Sequence, residues 1–197
     1  LTLITPGSVN TPMGIARVVR ESLGPHHRYF IAEMGAYGPG SIARLCRLAP
    51  PDFAIITAIG HAHYERFKTL ETVAEAKFEL AEAAIARDGK VVVPAALAEI
   101  GPAKEHMDTA PERFIRCGEA EDCDLVILES AETPDGLALT VRWRGEEHEL
   151  AAPLFGAHHA RNLALSFAAV LSLGVKPADA KRALKKLPQI GHRLEVK

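Results

Sequence analysis

The stretch Phe53-Ala54-Ile55-Ile56-Thr57-Ala58-Ile59-Gly60-His61-Ala62-His63 decides the fold. An apolar run stops at a glycine turn and a histidine pair. A run apolar on both faces reads as a buried strand of a parallel sheet. A helix follows from Thr69, which has N-cap chemistry, to about Ala86. With Lys77 as origin, Leu70, Val73, Leu80 and Ala84 fall within about 60° of it, and Glu71, Glu75, Glu79 and Glu82 lie more than about 120° away. Lys77 thus stands in the middle of the apolar face. A bare ammonium is costly to bury there, so it snorkels out, has a partner, or has been chemically changed.

Upstream, Pro6-Gly7-Ser8-Val9-Asn10 is a turn-rich loop, and Thr11-Pro12 opens an amphipathic helix to about Leu23. Asn10 sits just before that helix N-terminus, where anions are favoured; the plainer reading is a turn asparagine. Arg28 to Ala32 is a second buried strand, with Glu33 at its C-terminal end. Gly35, Gly38 and Gly40 then form a loop before a helix from Ser41 to about Leu48. Ligand sites in open parallel sheets form outside the carboxyl ends of strands, so Glu33 and His63 could converge although distant in sequence. A solvent-facing carboxylate and an idle loop histidine are the alternatives.

Downstream, Asp88-Gly89 ends the Lys77 helix, and Lys90 to Val93 and Phe114 to Cys117 read as strands. Residues Ala95 to Ala110 read as one short helix and a loop. The β-α-β-α-β-α-β order predicts an α/β fold with a mostly parallel sheet flanked by helices. Alternating strands at Leu125 to Glu129, Gly136 to Trp143 and Glu147 to Leu150 predict a small antiparallel sheet beside it. A helix from about His159 to Leu173 buries Leu163, Phe167, Val170 and Leu171 and stops at Gly174. A last helix runs from Pro177 to about Leu187, its lysines and arginine a solvated face.

The chain has 197 residues, 48% hydrophobic and 24% charged, with a net charge of −2. That charge predicts no grip on nucleic acid. No apolar run approaches the roughly 20 residues of a membrane span, so no membrane insertion is expected. Cys46, Cys117 and Cys123 lack metal-site spacing and read as reduced, cytoplasmic thiols. The absence of an initial Met and the strand-like ending Leu194-Glu195-Val196-Lys197 suggest a piece of a longer protein.

Glu33, His63 and Lys77 on three successive elements suggest a divalent-metal site. Lys77 cannot ligate as an ammonium, but carbon dioxide adding to its neutral amine would give a carbamate with two oxygens. Magnesium, which keeps waters and phosphate oxygens, tolerates such a sparse protein shell. No G-x-x-x-x-G-K-[ST] loop occurs, so the main cradle for a nucleotide phosphate lies outside these residues.

Six short motifs occur in order: Asn10-Thr11-Pro12-Met13-Gly14, Ala32-Glu33-Met34-Gly35-Ala36, Ile59-Gly60-His61-Ala62-His63-Tyr64-Glu65-Arg66-Phe67, Ala74-Glu75-Ala76-Lys77, Gly156-Ala157-His158-His159-Ala160-Arg161-Asn162 and Gly191-His192-Arg193-Leu194-Glu195. Together they resemble the central, ATP-binding domain of the Mur ligase family. The resemblance is nearest to members that add D-alanyl-D-alanine to a UDP-linked muramoyl tripeptide. It implies ATP and Mg2+ as cofactors and an amide-forming reaction through an acyl phosphate in peptidoglycan precursor synthesis. Asn10 would lie near the γ-phosphate and its metal. Glu33 and His63 would be magnesium ligands, and His61 a bystander. Lys77 would be an N6-carboxylysine holding a magnesium ion, catalytic together with Asn10. Asn162 would approach the adenine, with His159 where the family usually has asparagine, and Arg193 would contact the nucleotide.

By the same resemblance, residues 1–197 are an incomplete central domain. The UDP-substrate domain, the phosphate loop and the C-terminal domain are missing, so the piece alone is expected to be inactive. Val93-Pro94-Ala95-Ala96 departs from the acidic turn usual after this strand. The alternatives are a folylpolyglutamate-synthase-like or other Mur-family ligase, or a non-catalytic partner-binding module that kept the fold.

Overall fold

The computed structural model describes residues 1–60 and 67–188. They fall into two units, Leu1–Val91 with Ala98–Arg113, and Val92–Leu97 with Phe114–Lys197.

In the first unit, β1 (Thr2–Ile4) and β2 (Tyr29–Ile31) pair in parallel, with Leu3 opposite Phe30 and Ile4 opposite Ile31. Between them runs α1 (Pro12–Ser22). The Thr11 hydroxyl accepts from the Gly14 N–H at 3.3 Å, and Pro12 supplies a pre-set φ in the first turn. Helix α2 (Ser41–Leu48) follows β2. Ile15, Ile42, Leu45 and Cys46 form a core against which Phe30, Leu80 and Ala83 pack. Strand alternation sends Ile4 and Ile31 to the other face, where they are 61% and 60% exposed.

The central strand is shorter than its apolar run. β3 spans Phe53–Ile55, and Ile56 to Gly60 leave the ladder. Beyond the strand end, the Ala58 carbonyl accepts from Lys77 Nζ at 2.6 Å. Helix α3 (Leu70–Ile85) is capped as expected, the Thr69 hydroxyl accepting from Thr72 N–H at 3.2 Å. Its buried arc is wider than the expected stripe. Ala76 and Phe78, about 100° either side of Lys77, are 1% and 0% exposed. The cause is that α3 packs against both α2 and α4 (Gly101–Thr109). Burying Phe78 contributes about 2–3 kcal/mol, and its ring stacks on His106 with centroids 5.2 Å apart. Gly89 ends the helix by donating to Ala84 O at 2.8 Å. A Cβ there would lie 2.6 Å from the Asp52 carbonyl oxygen, so only glycine fits.

The larger sheet has the order β3-β4-β5-β6-β7-β8, with β4 Lys90–Pro94, β5 Phe114–Gly118, β6 Leu125–Thr133, β7 Gly136–Trp143 and β8 Glu146–Ala152. A 3-10 turn at Ala95–Glu99 precedes α4. The α/β class stands, with one refinement. The antiparallel strands do not form a separate small sheet: β6 pairs in parallel with β5 and antiparallel with β7, so the hairpins extend the larger sheet. Arg144 (φ 48°) and Gly145 (φ 90°) make the tight turn between β7 and β8, whose twist matches the strands.

Helix α5 spans His158–Ser172 and α6 spans Pro177–Leu184, one turn short of the expected end. Leu163, Ala164, Leu165, Phe167, Ala168 and Ala169 are buried. Val170 and Leu171, expected inside, are half-buried in the final turn. That turn closes at Gly174 (φ 85°), where Val175 N–H donates to Val170 O at 3.0 Å. Arg182, Lys185 and Lys186 are exposed, as a solvated face should be. The three cysteines are free and buried. Among the described residues no helix is long and apolar enough to cross a membrane.

Candidate functional site

Two expected site residues meet directly. Asn10 stands before α1 and Glu33 just beyond β2, because parallel pairing of β1 and β2 brings the ends of both strands to one edge. Asn10 Nδ2 donates to Glu33 Oε1 at 3.1 Å. The Glu33 backbone N–H donates to the Thr5 hydroxyl at 3.0 Å, and Gly35 N–H donates to Asn10 O at 2.9 Å. The second carboxylate oxygen of Glu33 accepts no hydrogen bond among the described residues. Glu33 is exposed, so that oxygen is open to a ligand.

A residue that the motifs did not single out completes this cluster. The Tyr37 hydroxyl donates to Asn10 Oδ1 at 2.6 Å. Tyr37 N–H donates to Ser41 Oγ at 3.1 Å, and Ser41 Oγ to Gly38 O at 2.6 Å. The signal available in the sequence was one large aromatic inside a run of glycines.

Lys77 lies half-buried on α3 and donates from Nζ to Ala58 O at 2.6 Å. Of the three ways to accommodate it, the described residues show a partner, a neutral carbonyl. Burial pushes its ammonium pKa down, toward the neutral amine. A carbonyl stabilises a donor without supplying a countercharge, so the anomaly seen in the helix pattern persists in three dimensions.

Glu79, on the acidic face of α3 away from Lys77, reaches α2. Its carboxylate accepts from Gly40 N–H at 2.5 Å and from Ala43 N–H at 2.8 Å. It substitutes for an N-cap, since Gly40 (φ 77°) has no side chain to offer.

In the second unit, His159 and Asn162 both lie in the first half of α5. His159 is buried, with its ring 4.1 Å from that of His158, whereas Asn162 is exposed. His61, His63 and Arg193 lie outside the described residues. Among the described residues no group of three or more His, Cys, Asp or Glu side chains gathers to cage a metal. An open carboxylate oxygen on Glu33 is the donor type that a magnesium–phosphate site uses, whereas the Lys77 nitrogen, displaced toward the neutral amine, is not an oxygen donor as it stands.

The Mur ligase middle domain model matches residues 1–170. The UDP-N-acetylmuramoyl-tripeptide–D-alanyl-D-alanine ligase of Bacillus subtilis is 29% identical over 98% of this chain and 40% of its own length. A MurF crystal structure from Acinetobacter baumannii superposes with a TM-score of 0.86 at 25% identity, over 98% of this chain and 42% of that one. MurF from Thermotoga maritima, solved in complex with ADP, has a TM-score of 0.77 at 23% identity, covers 100% of this chain and 44% of its own, and shows the shared fold. The chain thus spans about two-fifths of the length of these relatives. Matched along most of its length by that model, the chain belongs to the Mur ligase middle domain family.

Proposed function

We propose that this chain is the nucleotide-binding part of an ATP-dependent ligase of peptidoglycan precursor synthesis. The reaction is amide formation between a UDP-linked muramoyl tripeptide and D-alanyl-D-alanine. ATP phosphorylates the tripeptide carboxylate, the amine of the dipeptide attacks the acyl phosphate, and phosphate leaves. The named relatives support the reaction class. The observation that carries the site is the Asn10–Glu33 hydrogen bond at the strand ends, which leaves one carboxylate oxygen open.

In this reading Asn10 donates to a phosphoryl oxygen, and fixed donors of this kind act where charge develops. Glu33, His63 and Lys77 would hold Mg2+, which when bound offsets the charge of the transferring phosphoryl group. Lys77 takes part as a carbamate: its neutral amine adds carbon dioxide, a C–N bond forms and one proton is released. The carbamate nitrogen keeps one N–H, so the hydrogen bond to Ala58 O can survive the modification. Asn162, His159 and Arg193 would bind the rest of the nucleotide.

These 197 residues contain no G-K-[ST] phosphate loop. As an incomplete central domain, the piece by itself is expected to turn over no ATP. The test is phosphate release by the full-length protein given ATP, Mg2+, the UDP-linked tripeptide and D-alanyl-D-alanine. Release that depends on all four components is expected. Release independent of the dipeptide, or none, would overturn the reading.

A further inference from the structure

We infer that Tyr37 is a positioning residue for the phosphoryl-transfer site, its hydroxyl locking the Asn10 carboxamide in the orientation that offers Nδ2 to an anionic ligand. This rests on the function proposed above.

The geometry constrains Asn10 from three sides. Its carbonyl oxygen Oδ1 accepts from Tyr37, its Nδ2 donates to Glu33, and its backbone oxygen accepts from Gly35. A carboxamide nitrogen carries two hydrogens, and Glu33 takes one. The other remains for a ligand. The reverse orientation would set Oδ1 against the Glu33 carboxylate. Glu33, however, is exposed and in the proposed function also engages a cation, so it cannot alone hold Asn10 through a catalytic cycle. The Tyr37 hydroxyl can. It draws electron density toward Oδ1, which strengthens Nδ2 as a donor through the amide, as hydrogen bonds in series do.

Tyr37 is itself built in. Its backbone is tied to Ser41 at the start of α2, and its ring lies against Gly35. A Cβ on Gly35 would come within 2.5 Å of the Tyr37 ring and 3.1 Å of Asn10 Cγ. The residue at position 35 is therefore small because ring and carboxamide occupy the space. A tyrosine serving only as loop filler would need the ring and not the hydroxyl.

The experiment uses the full-length enzyme with Tyr37→Phe, which removes one oxygen and keeps the ring. We expect kcat to fall about 10- to 100-fold, the scale of a misplaced catalytic contact, with KM for the dipeptide and the melting midpoint unchanged. In an Asn10→Ala background Tyr37→Phe should have no further effect on kcat. The Asn10 side-chain amide resonances, assigned by their loss in Asn10→Ala, should shift in Tyr37→Phe. Unchanged resonances, an unchanged kcat, or an equal loss of kcat in the Asn10→Ala background would each overturn the inference. If the unmodified enzyme releases no phosphate, the functional reading falls, while the resonances still report whether Tyr37 orients Asn10.

Discussion

Glu79 caps a helix to which it does not belong. From the middle of α3 its carboxylate takes the Gly40 N–H, and also that of Ala43, at the first turn of α2. Gly40 is in the left-handed region at φ 77°, where a side-chain-bearing cap residue would be strained. The chain therefore uses a glycine to make the turn and borrows the cap from 39 residues away. The contact ties α3, which carries Lys77, to the loop that carries Tyr37.

Glu79→Ala should therefore destabilise the fold by about 1–2 kcal/mol, the cost of a lost charged cap. Urea unfolding gives the total. Hydrogen exchange should localise the loss to the first turn of α2, at Ser41 to Ala43. Unchanged protection there would show that water replaces the carboxylate at no cost.

Lys77 separates stability from activity. Burial lowers its pKa from 10.5. The buried ammonium is thus a burden at neutral pH that is relieved as pH rises toward 10.5, where the unfolded chain also loses its proton. Lys77→Met should raise the melting midpoint at pH 7, with a gain that shrinks at higher pH, and should abolish ligase activity in the full-length enzyme. For the carbamate, Lys77→Ala should regain activity with added short-chain carboxylates. Wild-type-like activity of Lys77→Ala without them would end that proposal.

His148 predicts acid sensitivity in the second unit. It is 7% exposed on β8, its Nε2 has no hydrogen-bond partner among the described residues, and its ring meets Phe167 edge-on at 5.4 Å. Burial, and secondarily Lys181, lower its pKa below 6.5, with Glu146 opposing. Stability present above about pH 6.5 is lost as pH falls through the folded-state value. His148→Leu should flatten the fall in urea midpoint between pH 7 and pH 5, and removing the orphaned nitrogen should add about 1–3 kcal/mol. An equal slope in both proteins would assign the acid sensitivity elsewhere.

Cys46 should resist alkylation. Desolvation, then the nearby Glu79 carboxylate, push its thiol up to about 11. The thiolate is the nucleophile, so native protein at pH 8 should leave Cys46 unmodified by iodoacetamide while urea exposes it. The raised value also means that its contribution to stability is intact below about pH 9 and lost as pH rises toward about 11. Mass spectrometry of labelled peptides reads the first effect and alkaline unfolding the second.

Gly35→Ala should mimic the loss of the Tyr37 hydroxyl by a different route. The new methyl would sit 2.5 Å from the Tyr37 ring, forcing it off Asn10. Overpacking of this kind costs about 1–3 kcal/mol, so a lowered melting midpoint and a lowered kcat should appear together. A kcat loss without any change in midpoint would point to a direct contact with substrate.

The local devices were legible along the chain. Thr11 and Thr69 cap α1 and α3, and Gly174 ends α5, because each depends on neighbours within one turn. The alternation of strands and helices announced the α/β class, and helical periodicity found Lys77 in its apolar surroundings. The partner of Glu79 is not legible in the helix pattern, because periodicity reports one helix at a time and cannot see a second helix covering the acidic side. The apolar run overstates the length of the central strand, because apolar character persists to Ile59 while the strand stops at Ile55.

By itself the sequence determined the order of elements, their caps and the identity of the chemically unusual residues, since these follow from interactions short along the chain. Tertiary structure decided the partners. Asn10 with Glu33, Tyr37 with Asn10 and Lys77 with Ala58 are pairs 23, 27 and 19 residues apart. Such pairs exist only once parallel strands and their crossover helices are packed, because hydrogen bonds need atoms within about 3 Å and in line, and no spacing rule along a chain carries that information.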